Sequence, residues 1–218
     1  MTGIWTYFWD HHGEIWGWTK TTLWLAALPL VIGLALALPA GWAASRYRWT
    51  YPPITSVTGI LYTIPSLVLF LVLPGIIGTR ILDAENVAVA LTVYTFALLV
   101  RTVADGLSAV PADTLAAASA MGYTTRQRLL RVQLPMAVPV IGAGLRVAAV
   151  SNVSLISVAS IIGVSQLGEL FVEGNNLAKA TPTLVGLILF VLLALVFDLT
   201  IVLGIRLLTP WQRAVAAR

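Results

Sequence analysis

The chain has 218 residues, of which 59% are apolar and only 10% are charged, and its formal net charge is +4. Soluble globular domains carry about 25% charged residues, so this chain lacks the polar surface that a water-soluble domain requires. The absence of cysteine excludes disulfide bonds, thiolate metal ligands and cysteine nucleophiles. The composition therefore indicates an integral membrane protein.

The first segment of the chain, residues 1–18, is aromatic and polar. Its amphipathic rings belong to Trp5, Tyr7, Phe8, Trp9, Trp16 and Trp18. Such rings favour the headgroup layer of a bilayer, and the lack of a basic leading stretch argues against a secretory signal peptide. We expect residues 4–18 to form a helical segment that lies on the membrane surface.

Five later stretches are long and apolar enough to cross a bilayer, which requires roughly 20 apolar residues per helix. They cover about residues 20–44, 54–78, 86–109, 135–162 and 182–208. The sequence therefore predicts an all-α, polytopic membrane protein in which residues 1–218 form a single transmembrane domain.

Basic residues are distributed unevenly between the loops, and this distribution predicts the orientation. Nine fall on one side of the membrane, namely Arg46, Arg48, Arg101, Arg126, Arg128, Arg131, Arg206, Arg213 and Arg218. Lys20, Arg80 and Lys179 fall on the other side. Cytoplasmic loops carry the excess of Lys and Arg, so the N-terminus is predicted to lie outside and the C-terminus in the cytoplasm.

The connection between the third and fourth spans, residues 105–134, is the longest predicted cytoplasmic loop. Pro111 breaks the chain there, and Asp113 or Thr114 can cap the helix that follows. The unbroken, alanine-rich run of residues 115–121 predicts a short helix.

Gly122 is expected to end this helix in the left-handed conformation. A second short, basic helix is expected over residues 124–132, and Pro135 is expected to begin the fourth span. A short helix of small side chains outside the membrane can fit a groove on another protein. The alternative is an ordinary basic loop with a solvated arginine face.

The spacing in this loop resembles the signature of the permease subunits of binding-protein-dependent ABC importers. That signature reads Glu-Ala-Ala, three residues, Gly, nine residues, Ile, one residue, Leu-Pro. The corresponding residues here are Ala117, Ala118, Gly122, Val132, Leu134 and Pro135. Ala116 stands where the family usually has Glu, and Val132 is a conservative replacement of Ile.

Within this family, the chain is more similar to the permeases of osmoprotectant importers, whose solutes include glycine betaine, choline, carnitine and proline betaine. The similar segments are residues 62–67, 101–107, 163, 167–170 and 208–210. The resemblance covers nearly the whole chain. The alternatives are the permease of a methionine or other amino-acid importer, a membrane scaffold that moves no solute, and a polytopic membrane enzyme.

The resemblance implies a type I ABC importer permease fold in the bacterial cytoplasmic membrane. It also implies a second permease copy or paralogue, ATP-binding subunits and an extracytoplasmic solute-binding protein as partners, besides membrane lipid and without nucleic acid. The ATP-binding subunits would dock on the loop, and the residues that would carry this coupling are Ala117, Ala118, Gly122, Arg126, Arg128, Leu134 and Pro135.

The chain has no sequence of its own for binding nucleotide. A P-loop requires Gly-Lys followed by Ser or Thr, and the lysines Lys20 and Lys179 follow Thr19 and Ala178. We therefore expect no catalytic residue and no cofactor in this chain, with ATP and Mg²⁺ bound by a partner. A metal site among the acidic and histidine residues 10–14 is not expected, because adjacent histidines point to different faces of a helix.

Two charged residues are predicted to lie inside the spans at similar depth. Asp198 lies about 15 Å from the cytoplasmic end of the fifth span at 1.5 Å per residue, and Arg146 lies about as far into the fourth. Charges inside a bilayer are costly and usually paired. We therefore predict an ion pair between Arg146 and Asp198, with Arg101 nearby, and a structural role is favoured over a transport role.

Candidates for the translocation path are Pro65, Ser66, Asn152 and Ser154. Pro65 is the candidate hinge, since a proline break in lipid is tolerated where neighbours or water satisfy the freed carbonyls; a kink without a role in transport is an equal alternative. For the serines of the fourth span, helix packing is the favoured role. For Asn152, a place on the path and a place in packing are equally open.

Overall fold

The computed structural model describes residues 2–47 and 49–211, and all regular secondary structure in these ranges is helical, in agreement with the predicted fold class. Three of the arginines used to predict the orientation, Arg48, Arg213 and Arg218, lie outside the described residues, as does Met1. The α-helices are α1 (Thr2–Asp10), α2 (His12–Arg46), α3 (Tyr51–Thr63), α4 (Ser66–Ile77), α5 (Ala84–Ser108), α6 (Ala112–Ala120), α7 (Thr125–Arg128), α8 (Leu134–Val158), α9 (Glu169–Asn176) and α10 (Ala180–Leu208).

Four helical runs of the described residues are long and apolar enough to cross a membrane: α2, α5, Thr125–Ile162 and α10. The helices α3 and α4 form a fifth candidate span, but they meet at an angle of 103°. If this bent pair counts as one span, the described residues have the five spans that the sequence predicts, but the second span is a pair of short helices and not one rod.

The bend of the second span is centred on Ile64 and Pro65, which both have extended backbone. Proline has no N–H and cannot continue the helical hydrogen bonds. The hydroxyl of Tyr94 on α5 donates a hydrogen bond to the carbonyl of Ile64. The break is thus held by a neighbouring helix, which satisfies a carbonyl that the bend leaves outside the helical pattern.

The core lies along α2, α5 and α8, which pack side by side. Small residues allow the close approach of transmembrane helices, and Gly41 on α2 is an example. A Cβ atom placed at Gly41 would lie 2.6 Å from the Cβ of Val103 on α5, well inside van der Waals contact. Buried apolar side chains such as Leu91, Val103 and Ile156 fill the rest of this interface.

The N-terminal segment is helical as predicted, but its boundary differs. The sequence predicts one surface segment over residues 4–18, whereas the structure has two helices that meet at His11. The helix α2 therefore begins eight residues before the predicted start of the first span. The short helix α1 packs against α10 and α2.

The fourth span also begins earlier than predicted. The expected separate helix over residues 124–132 is wrong, because α7 continues through a π-helical turn (Leu129–Gln133) directly into α8. Inside an α-helix, proline removes a hydrogen bond and clashes with the carbonyl four residues earlier. The wider π-turn accommodates Pro135 at the start of α8 without ending the helix.

Candidate functional site

The loop between α5 and α8 folds as a compact helical elbow, which we define as Ala112–Ala120, residues 121–124 and Thr125–Arg128. The predicted caps are wrong: α6 begins at Ala112, and its N-cap is Pro111 in the extended conformation, with no side-chain cap. Proline fixes φ near the value required there. Asp113 instead lies in the first turn of α6, where a carboxylate interacts favourably with the helix dipole.

Gly122 ends α6 as predicted, with φ of +82°. Its amide bonds the carbonyl of Ser119, and the amide of Tyr123 bonds the carbonyl of Ala118, at 3.0 and 3.1 Å. This pair of bonds is a Schellman motif, which favours glycine at the left-handed position. A Cβ atom at Gly122 would meet no neighbour within 4 Å, so the requirement for glycine is conformational and not steric.

The second half of the elbow begins with a capping box. The amide of Gln127 donates to Thr124 Oγ1 at 3.3 Å, and the amide of Thr124 donates to Gln127 Oε1 at 2.9 Å. Arg128 Nη1 donates to Ser119 Oγ at 2.7 Å and so ties the second helix to α6. The elbow is therefore a fixed helix–turn–helix unit joined directly to the fourth span.

The residues assigned to coupling divide between two faces of this elbow. Ala117, Gly122 and Arg126 are exposed, whereas Ala118 is buried. Arg128, Leu134 and Pro135 are half-buried. Met121, which sequence reasoning did not single out, is 70% exposed at the tip beside Gly122; a large apolar residue just before a helix-ending glycine was the available signal.

Arg146 and Asp198 are in direct contact between α8 and α10. Arg146 Nε lies 2.6 Å from Asp198 Oδ1, and Nη2 lies 3.0 Å from Oδ2, which is a bidentate geometry. The side chains are 44% and 22% exposed, so the pair lies on the surface of this chain and not within its core. Arg101, which the sequence predicts to lie near this pair, forms an ion pair with Asp105 on its own helix, with Nε 3.6 Å from Oδ2.

The path candidates occupy different environments. Asn152 is buried and hydrogen-bonded to Thr95 on α5, with Asn152 Nδ2 2.9 Å from Thr95 Oγ1. This geometry favours the packing role. Ser154 and Pro65 are exposed, and Ser66 is half-buried next to the bend.

Two tyrosines that were not among the candidates for the translocation path flank the bend of the second span. Tyr62 and Tyr94 form an edge-to-face pair with ring centroids 5.9 Å apart. Tyr62 is 44% exposed, whereas Tyr94 is buried. The resemblance included Tyr62, but Tyr94 lies on another span, and no local pattern relates the two residues.

The predicted polar cluster of the N-terminal segment holds no group of three metal-ligand side chains within the described residues. The ring of His11 contacts the carbonyl of Tyr7, and that of His12 contacts the carbonyl of Trp9. The Tyr7 hydroxyl donates to Glu173 at 2.6 Å and joins α1 to α9. Burial and the nearby carboxylate of Glu173 raise the pKa of Tyr7 well above its usual value.

Candidate membrane-spanning helices, a rigid elbow joined directly to one of them, and an ion pair on the surface of the bundle are features of a multi-pass membrane subunit. Residues 29–208 match the family described as the inner membrane component of binding-protein-dependent transport systems. The chain belongs to this family and is a permease of the ABC importer class in a bacterial membrane. ATP hydrolysis in such systems lies on a separate subunit.

Curated relatives and solved structures agree with this assignment. The osmoprotectant import permease protein OsmW of Salmonella typhimurium is 32% identical over 88% of this chain and 90% of its own length. The glycine betaine/carnitine/choline transport system permease protein OpuCD of Bacillus subtilis is 32% identical over 82% of this chain and 77% of its own. The fold is similar to a chain of the inward-facing MetNI methionine ABC transporter, with a TM-score of 0.82 at 21% identity over 92% of this chain and 98% of that one.

Proposed function

We propose that this chain is the permease of an importer for quaternary-ammonium osmoprotectants such as glycine betaine, choline, carnitine or proline betaine. The observation that carries this proposal is its similarity, over most of its length, to an osmoprotectant permease and to a glycine betaine/carnitine/choline permease. The similarity to the methionine transporter supports the fold alone at 21% identity. Its proposed orientation has the N-terminus outside and the elbow in the cytoplasm.

The elbow is proposed to dock on an ATP-binding subunit, which holds ATP and Mg²⁺. Its exposed side carries the small residues Ala116 and Ala117, the turn at Gly122 and the projecting Met121. The Schellman motif and the capping box fix this shape, and α7 continues into the fourth span. A displacement of the elbow by nucleotide-driven closure would therefore move the fourth span as one body.

A second copy or a paralogue is proposed to complete the path. The polar residues Ser154 and Tyr62 and the ion pair of Arg146 with Asp198 are exposed on this chain. Charged groups at bilayer depth normally face water or another protein. An extracytoplasmic solute-binding protein would deliver the solute, and an aromatic cage there would select the quaternary ammonium group.

Uptake by cells tests the substrate. The chain is expressed with its ATP-binding subunit and binding protein in a strain that lacks other osmoprotectant importers. Labelled glycine betaine, choline and carnitine should accumulate in an ATP-dependent manner, whereas labelled methionine should not. Accumulation of methionine alone would transfer the assignment to the amino-acid importers.

Substitution at Ala117 tests the docking role separately. Ala117→Arg places a long side chain on the exposed face of the elbow and should abolish co-purification with the ATP-binding subunit as well as solute uptake. Ala117→Ser is the matched control at the same position and should retain both. Normal uptake by the Arg variant, inserted to the wild-type level, would contradict docking through this face.

A further inference from the structure

A pocket of about 720 Å³ lies where the ends of α2, α3 and α5 meet the elbow. We call it the basic pocket. Its polar and aromatic lining includes Trp42, Arg46, Tyr51, Ser108, Arg128 and Gln133. Arg46 and Arg128 are the charged side chains among its described lining residues, so the pocket carries positive charge.

One nitrogen of the Arg128 side chain has no hydrogen-bond acceptor among the described residues. Its Nη1 donates to Ser119, but its Nε is buried with no hydrogen-bond partner among the described residues. A buried donor without an acceptor is costly, and most such groups in native proteins are paired. An oxygen-bearing anion in the pocket would supply the acceptor.

The π-helical turn brings a second hydrogen-bond donor, the amide of the Gln133 side chain, to the same side of the basic pocket as Arg128. The amide of Leu134 bonds the carbonyl of Leu129, five residues earlier. In such a turn, residues five apart lie close to each other around the helix. Arg128 and Gln133 are five apart, and both line the basic pocket.

Neither arginine of the pocket forms an ion pair within the described residues. Arg101 and Arg146 are each paired with a carboxylate. Arg46 instead lies in the last turn of α2, with its guanidinium 5.9 Å from the ring centre of Tyr47. The nearby carboxylate of Asp105, which accepts a hydrogen bond from Tyr51 at 2.6 Å, is paired with Arg101. Arg46 and Arg128 therefore keep their positive charge without a carboxylate partner among the described residues.

The aromatic residues around the pocket place it at the boundary of the bilayer. Trp42 and Tyr51 line it, and Tyr47 and Trp49 are exposed beside it. Amphipathic rings of this kind favour the headgroup layer. This end of the bundle is also the arginine-rich end, which the positive-inside rule predicts to be cytoplasmic.

We propose that the basic pocket binds the phosphate of an anionic phospholipid such as phosphatidylglycerol. Guanidinium groups form charge-assisted hydrogen bonds with phosphate oxygens, and basic pockets between transmembrane helices on the cytoplasmic side suit anionic headgroups. The pocket lies at headgroup height, so a lipid reaches it from the leaflet. Inorganic phosphate has the same chemistry but no such local supply.

The test measures lipid binding by the full-length permease and requires no transport. Purified protein in neutral detergent is titrated with phosphatidylglycerol or phosphatidylcholine, and retained lipid is counted by native mass spectrometry. Wild type should prefer phosphatidylglycerol. Arg46→Gln and Arg128→Gln should each weaken that preference about fivefold, whereas Arg131→Gln, an equal charge change at an exposed position outside the pocket, should not.

Two further variants separate binding from folding. Arg128→Lys keeps the charge and should retain part of the preference. Ser108→Phe keeps both arginines but fills the pocket from its exposed Ser108 position, and it should reduce lipid retention while the protein stays monodisperse. An undiminished preference in Ser108→Phe and Arg46→Gln would overturn the proposal.

The remaining outcomes identify other occupants. An equal loss in Arg131→Gln would mean general surface attraction and no site. Displacement of phosphatidylglycerol by millimolar inorganic phosphate, with equal retention of phosphatidylcholine, would mean that the pocket binds free phosphate. Loss of co-purification with the ATP-binding subunit in Arg46→Gln, with lipid preference unchanged, would assign the pocket to an acidic segment of that subunit and overturn the lipid assignment.

Discussion

The buried contact between Asn152 and Thr95 allows a test of whether Asn152 serves helix packing or the translocation path. Asn152 Nδ2 donates to Thr95 Oγ1 at 2.9 Å, and Thr95 Oγ1 donates to Asn152 Oδ1 at 3.3 Å. Both side chains are 1% exposed. Asn152→Leu keeps the branched shape of the side chain but removes both bonds and leaves the threonine hydroxyl without this partner.

The size of the effect follows from the burial and the lengths of the bonds. Leaving a buried polar group unpaired costs about 1–3 kcal/mol, while hydrogen bonds between transmembrane helices contribute about 0.6 kcal/mol on average and at most about 1.7 kcal/mol. The second bond is long, so one good bond is at stake. We expect the free energy of unfolding to fall by about 1 kcal/mol in Asn152→Leu, and by a similar amount in Thr95→Val.

The assay combines unfolding with uptake. SDS-induced unfolding in mixed micelles is measured for both single variants and for the double variant, which should lose less than the sum of the single losses. Thr200→Val, which alters an exposed hydroxyl on α10, is the control and should change little. Solute uptake per inserted Asn152→Leu molecule should equal that of wild type.

Two outcomes would refute this reasoning. A coupling energy below about 0.3 kcal/mol, the usual limit of additivity, would mean that the two side chains do not stabilise each other. Loss of uptake in Asn152→Leu, with Thr95→Val equally destabilised but active, would mean that the amide acts on the path.

Three further predictions concern the elbow, the ion pair and Glu169 at the start of α9. Gly122→Ala should lower the free energy of unfolding by about 1–2 kcal/mol, because φ at this residue is +82°. Gly204→Ala, in helical backbone with nothing within 4 Å, is the control and should be neutral or stabilising. Equal losses of both variants in denaturant unfolding would contradict the conformational argument. Arg146→Asp and Asp198→Arg should each reduce the amount of folded protein in membranes, measured by fluorescence-detected chromatography, and the charge-swapped double variant should recover part of it. A double variant that does no better than the single ones would show that the pair has no role. Burial raises the pKa of Glu169 in the folded state, so the stability of the folded state falls as the pH rises from the unfolded pKa through the folded one. Glu169→Gln should therefore raise the melting temperature relative to wild type at pH 7 but not at pH 4. A gain of equal size at both pH values would exclude ionisation as the cause.

Features that depend on composition and local backbone chemistry were predictable from the sequence. Hydropathy located the segments that form the spans, and Gly122 was identified as the end of α6 because a left-handed residue favours glycine. The contact between Arg146 and Asp198 was predictable from depth alone, since two charges at one height in a bilayer have few other partners.

Features that depend on neighbouring helices were not predictable in this way. The sequence identified Pro65 as a break, but the angle of 103° depends on how α4 packs and on the hydrogen bond from Tyr94. Pro135 was read as the start of the fourth span, whereas the continuous helical run begins at Thr125, because no local pattern announces the π-turn that joins α7 to α8. The partner of Asn152 lies 57 positions away, so its environment follows only from the packing of α5 on α8.

The bend between α3 and α4 has a consequence for biogenesis. At 1.5 Å per residue, the 13 residues of α3 and the 12 of α4 extend about 20 Å and 18 Å, and a hydrocarbon layer is about 30 Å thick. Neither half is long enough for the insertion machinery to release into lipid as an independent rod. We therefore expect the bend to form only once α5, which contacts both halves, lies beside the two short helices.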